Sequence, residues 1–239
     1  LNEGFTMYVE RRIMEELYGK PFVDMQLVLG KQDLEHTVAD IGPQNHDTCL
    51  KLNLKGRDPD DGMNLIAYEK GFFMLLHIAR TIGKENFDLF LKNYFAAYSF
   101  KSMDTESFLE YFSENVIRDN KELGNELNLK QWIYHPGLPS DMPEVHSQLL
   151  DSVDEAGESW STGVTPENLK TKEWSTAEWL QFIRYLPQNM TISQMEKLDE
   201  TFKFTSSGNC EILASWFVHV IRHNYKQGYS SLEKFLCKV

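Results

Sequence analysis

Several motifs that announce a chemistry are missing from these 239 residues. There is no G-x-S-x-G, no G-x-x-x-x-G-K and no G-x-G-x-x-G, so serine-hydrolase and nucleotide-phosphate readings have no support. There is also no H-E-x-x-H, so the chain carries no complete zincin helix. Cysteine is scarce: Cys49, Cys210 and Cys237 are the only three, widely spaced and without a C-x-x-C pair. That excludes a disulfide framework and fits reduced thiols in a cytoplasmic protein. Long apolar runs are lacking too. The stretch from Phe72 to Leu76 is far too short to cross a bilayer. Positive charge is in deficit, with 24 Lys and Arg against 36 Asp and Glu and a formal net charge of −12. The acidity is spread along the chain and argues against a nucleic-acid backbone or an anionic membrane surface as partner.

What is present is a globular composition, 41% hydrophobic and 13% aromatic, with ample chain for a buried core. Its apolar spacing is helical. From Leu1 to about Tyr18, Phe5, Val9, Ile13 and Leu17 form the main apolar stripe, with Glu3, Met7, Glu10 and Met14 on roughly the opposite side. Gly19 ends that helix. A second spans about 21–38 and breaks at Gly42-Pro43. Residues 43–62 read as loop. In it Leu50, Leu52 and Leu54 alternate with polar residues and permit a short extended segment. Further helices are expected at about 68–82, 85–98, 106–116 and 129–134, with Asp104 or Thr105 as an N-cap.

The Pro/Gly-rich stretch from His135 to Pro143 marks a domain boundary, dividing the chain into 1–138 and 139–239. Helices are expected beyond it at about 143–158, 175–185, 191–203, 208–224 and 229–238. The fold class is all-α. Successive antiparallel helices with short loops suggest a stacked helical repeat in the second part.

Few residues stand out chemically. By pattern alone, Glu3 is an ordinary solvated carboxylate in a first helical turn. Tyr68 opens a helix whose buried side is Tyr68, Phe72, Leu75 and Ala79. It is either a core ring whose hydroxyl reaches water or a backbone group, or a phenol placed to donate a hydrogen bond to a developing oxyanion, worth roughly 2.7–4 kcal/mol when preorganised. Asp58-Pro59-Asp60-Asp61 is a turn that caps the next helix. His219 and His223 share a helix face, but Val220 stands where a zincin has Glu. They read as surface histidines rather than metal ligands.

Three segments carry a family resemblance. Leu1-Asn2-Glu3-Gly4-Phe5-Thr6, with Tyr8 and Glu10-Arg11-Arg12, resembles the third-ligand segment of the gluzincin zinc aminopeptidases, in the leukotriene A-4 hydrolase and aminopeptidase B branch. Tyr68-Glu69-Lys70-Gly71-Phe72 is similar to that family's Y-E-K-G-F segment, and Trp132 with Tyr134 to Pro139 to its W-x-Y-x-P-G-L-P segment. The resemblance implies the helical C-terminal half of a thermolysin-like catalytic domain, followed by an α-α superhelical domain. It implies Zn2+ as cofactor and a peptide as substrate. Glu3 would be a zinc ligand, Glu10 a residue supporting the site, and Tyr68 the catalytic phenol that polarises the scissile carbonyl. Asp60 would line the substrate cleft and favour a basic N-terminal residue. Met63 occupies the substrate-side position where leukotriene A-4 hydrolase has a second tyrosine, which disfavours lipid-epoxide chemistry. The resemblance further implies that the H-E-x-x-H lies before Leu1, that an Arg-bearing segment follows Val239, and that these residues alone are inactive. Lipid-epoxide hydrolysis at the same zinc and a non-catalytic helical interaction module are the alternatives.

Overall fold

The computed structural model describes residues 2–238; Leu1, which the expected first helix and the family-like segment both include, lies outside them. Among the described residues the chain is helical and contains no strand. It divides into two compact units, Leu1–His146 and Ser147–Val239.

The first unit is built on two long helices, α1 (Asn2–Tyr18) and α2 (Lys20–Ile41). Gly19 separates them at φ 82°, a conformation glycine adopts without a Cβ penalty. A π-turn, Ile66–Lys70, runs directly into α3 (Gly71–Ile82), and Gly83 at φ 88° separates α3 from α4 (Lys84–Ala97). Beyond α4 lie α5 (Thr105–Phe112), a second π-turn (Ser113–Ile117), α6 (Lys121–Leu127) and α7 (Leu129–Tyr134). The Asp104 carboxylate caps α5 by accepting from Ser107 N–H at 2.8 Å. The core is strongly aromatic. Phe5 packs on Tyr94 and Phe108, and Tyr8 on Phe72 and Phe87, at centroid separations of 5.2–6.2 Å.

The second unit holds α8 (Gln148–Ser161), α9 (Thr176–Arg184), α10 (Ile192–Phe202), α11 (Cys210–Arg222) and α12 (Tyr229–Leu236). Capping boxes start two of these helices: Ser175 with Glu178, and Thr191 with Gln194. Asn209 starts α11 by accepting from Glu211 and Ile212 N–H. Helix α9 packs against α8 and α11, and Trp216, Phe182, Ile183, Met195, Leu198 and Val220 are buried.

Four expectations are corrected. Of the stripe Phe5, Val9, Ile13 and Leu17, Phe5 faces the core and the other three are exposed. The buried residues of α1 are Gly4, Phe5, Tyr8 and Arg11, while Ile13 is 53% and Leu17 66% exposed. Beside Phe5 and Tyr8, the buried face includes a small residue and a paired cation, neither of which carries apolar weight. Residues 50–54 form no strand; Lys51 N–H donates to the Ile133 carbonyl at the end of α7. Helix α8 begins at Gln148 rather than near 143, because Ser147 caps it. His219 is buried, not on the surface.

Candidate functional site

The site is built around the crossing of α1 and the π-turn. Gly71 ends that turn, and its N–H reaches back to the Ile66 carbonyl, a five-residue step that defines π geometry. A Cβ on Gly4 would lie 2.7 Å from the Gly71 carbonyl carbon and 2.8 Å from its Cα. Only paired glycines permit backbones to approach so closely. Glu3 precedes Gly4 and Tyr68 stands three residues before Gly71. The contact therefore joins the backbone segments that carry the two principal candidates.

The residues after Tyr68 are each anchored differently. Glu69 is gripped by Arg11 of α1 through two hydrogen bonds of 2.7 and 2.9 Å, with both side chains more than nine-tenths buried. The Arg11 guanidinium also lies 4.0 Å from the centre of the Phe72 ring. Space for the pair comes from Gly30 of α2, where a Cβ would sit 2.6 Å from both Arg11 Nη2 and Glu69 Oε2. Lys70 is fully buried and donates to the Thr48 carbonyl at 2.9 Å and the His135 carbonyl at 3.0 Å. The Thr48 hydroxyl accepts from Gly137 N–H at 2.8 Å, closing a link between the two loops. Burial pushes the Lys70 ammonium down to about 8, opposed by the neighbouring Cys49.

Tyr68 differs from its neighbours. It is half-buried, and among the described residues its hydroxyl makes no hydrogen bond. Its ring is thus held by a turn that is fixed on three sides while the phenol stays available. The turn itself is started by the Asn64 side chain, which accepts from Ile66 N–H at 2.9 Å.

The other candidates are arranged around this crossing. Glu3 is half-buried in the first turn of α1 and has no ion pair or side-chain hydrogen bond among the described residues. Glu10 is exposed, two turns along α1, and borders an open groove with Phe5, Val9, Ile13, Met14 and Phe95. Asp60 is exposed on the turn Pro59–Gly62, where its N–H donates to the Asp58 carboxylate at 3.0 Å. That turn is seated by Gly62, whose missing Cβ leaves room for Leu52 and Leu54. Met63 comes next, exposed. No hydrogen bond or ion pair links Glu3, Glu10, Asp60 and Tyr68 to one another among the described residues.

The donor chemistry for a metal fits in kind at Glu3 and not in number. A catalytic zinc takes three protein ligands. Among the described residues no group of three or more His, Cys, Asp or Glu could hold a metal ion. His219 and His223 do not supply one. His219 Nε2 donates to the Ile183 carbonyl at 2.8 Å, and His223 Nε2 lies 3.1 Å from the Gln188 carbonyl oxygen.

Sequence reasoning singled out Glu3 and Tyr68 and gave no role to Gly4, Arg11, Glu69 and Lys70, which bind their segments together. The available signal was a charged Glu69-Lys70 pair at the head of the most apolar helix, where burial demands partners.

Comparison with known proteins gives a consistent picture. The family model "Peptidase family M1 domain" matches residues 1–132, and "Leukotriene A4 hydrolase, C-terminal" matches residues 174–239. Leucine aminopeptidase 2 of Pyricularia oryzae is 30% identical over 247 residues, covering 100% of this chain and 40% of that protein. The leukotriene A-4 hydrolase homolog of Botryotinia fuckeliana is 31% identical, covering 91% of this chain and 36% of its own length. Yeast LTA4 hydrolase in complex with bestatin superposes with a TM-score of 0.87 at 26% identity, over 98% of this chain and 42% of that one. The chain thus spans about two-fifths of the length of these relatives. No helix of the described residues is long and apolar enough to cross a membrane.

Proposed function

The chain belongs to peptidase family M1, in its leukotriene A4 hydrolase branch, and from that premise we propose that it contributes to a zinc-dependent aminopeptidase that removes N-terminal residues from peptides. The observation that carries this reading is the crossing at Gly4 and Gly71. It sets a carboxylate-bearing helix turn beside a rigid turn whose tyrosine hydroxyl is free.

In this reading Glu3 is one of the carboxylate and imidazole groups that hold the metal, with the remaining ligands contributed by other residues. Zinc, when bound, supplies a Lewis acid and lowers the pKa of a bound water. Tyr68 donates its phenolic O–H to the carbonyl oxygen of the scissile bond as negative charge develops there. A donor held in place beforehand pays no reorganisation cost at that moment. Glu10 supports the same face of α1. Asp60, an exposed carboxylate on the turn before Tyr68, favours substrates with a cationic first side chain.

Tyr68→Phe tests the central role. It leaves the ring and removes the donor, so kcat of the intact enzyme on an aminoacyl-anilide falls on the order of 10²–10³-fold while KM changes little. An unchanged kcat removes Tyr68 from catalysis. The same reading expects these 239 residues, produced alone and dialysed against chelator, to retain no stoichiometric zinc.

A further inference from the structure

Tyr68 takes its direction from its backbone. Its hydroxyl has no partner among the described residues, so nothing at the far end of the side chain aims it. The turn that carries it is anchored next to Tyr68 by one paired contact. Arg11 meets Glu69, the residue after Tyr68, through two near-parallel hydrogen bonds of 2.7 and 2.9 Å. A planar fork on a planar carboxylate fixes orientation as well as distance. The guanidinium is itself immobilised, with the Phe72 ring 4.0 Å from it and the bare Cα of Gly30 beside it.

A buried ion pair is weak evidence of a stabilising role. Apolar residues of similar volume often do as well in a buried site, whereas specifying a register is the best-attested use of buried ions. A π-turn is also a local irregularity that frequently occurs at functional sites.

We propose that Arg11 is a positioning residue for Tyr68. Its paired hydrogen bonds to Glu69 set the rotation of the π-turn, and so the direction in which the phenol is offered to substrate. This rests on the role given to Tyr68 above.

The test is a kinetic cycle in the intact enzyme with an aminoacyl-anilide substrate. Arg11→Lys keeps the charge and loses the fork. It lowers kcat by about 10²-fold with little change in KM, the scale on which a misplacement of about 1 Å acts. In a Tyr68→Phe background the same substitution has almost no further effect, because its action passes through the hydroxyl that is already gone. Arg11→Met/Glu69→Met removes both charges and keeps the fold if the single variant does not. It shows the same low kcat in the Tyr68 background at an unchanged melting temperature. Equal loss of kcat in both backgrounds overturns the proposal, since Arg11 then acts by some other route. So does full kcat in Arg11→Lys or in the double variant. Failure of the underlying reading shows separately: Tyr68→Phe by itself leaves kcat intact, and both claims fall.

Discussion

Gly4 and Gly71 touch backbone to backbone, with a Cβ on Gly4 falling 2.7 Å from the Gly71 carbonyl carbon. Neither segment can retreat freely. Arg11 and Arg12 tie α1 to Glu69 and Asp88, and Gly71 continues into the buried α3. Gly4→Ala is therefore expected to destabilise the first unit by about 1–3 kcal/mol, the range for inserting a methyl group into a packed interior. Denaturant unfolding measures it. A midpoint equal to that of the unsubstituted protein would mean that the crossing gives way without cost.

Lys70 makes stability depend on alkaline pH. Desolvation holds its ammonium down to about 8, against an ordinary value of 10.5. Between those values the unfolded chain binds the proton and the folded chain does not, so raising the pH through this window favours folding. The penalty for burying the charged form, about 3 kcal/mol below the window, is relieved as the pH rises. The difference in urea midpoint between the unsubstituted protein and Lys70→Met should shift in favour of Lys70 from pH about 8 to about 10. A difference that is flat with pH contradicts this.

The second unit responds at the opposite end of the scale. Burial holds the His219 imidazole below its ordinary value of 6.5, with His223 and Arg222 acting in the same direction and the bond to Ile183 opposing them. As the pH falls below 6.5 the unfolded histidine takes up a proton that the folded one refuses, and stability is lost. His219→Gln keeps a donor for the Ile183 carbonyl and removes the titration. Its unfolding midpoint is expected to change less than that of the unsubstituted protein between pH about 7 and about 5.

Asp60 is a question of selectivity. Its carboxylate is exposed and its backbone N–H is committed to Asp58, so Asp60→Asn alters charge and leaves the turn intact. In the intact enzyme the substitution should lower kcat/KM for an arginyl-anilide by about tenfold relative to a leucyl-anilide, the scale of one exposed charge interaction. Parallel loss on both substrates would assign Asp60 to structure instead.

The helices of the second unit were legible because their starts are chemical. Ser175, Thr191 and Asn209 use their side chains to satisfy the first backbone N–H groups, a requirement local to a few residues. Helix α6 was not legible. Its sequence, Lys-Glu-Leu-Gly-Asn-Glu-Leu, has two apolar residues and a glycine, and it is started by Asn120 and ended by Asn128 in a left-handed conformation. In α1 the error was one of phase. Val9, Ile13 and Leu17 outweigh Gly4 and Arg11 on any apolar scale, yet it is Gly4 and Arg11 that are buried with Phe5 and Tyr8. Close backbone approach and a buried ion pair are both relations between distant segments, and no local spacing reports them. The same limit applies to the site. Family resemblance pointed to Glu3 and Tyr68, while the groups that hold them together became visible only with Glu69 and Gly71 in place.

The π-turn bears on how α3 should be counted. An α-helix advances about 100° per residue, and a single extra residue within Ile66–Lys70 offsets everything before it by that angle. Tyr68, Phe72, Leu75 and Ala79, spaced as one face in the sequence, therefore belong to two faces: the last three are buried and Tyr68 is turned partly outward. The turn works as a phase shifter between a segment that must be packed and one that must be presented. Wound as an uninterrupted α-helix over the same residues, the segment would set Tyr68 on the face of Phe72, Leu75 and Ala79, toward the core.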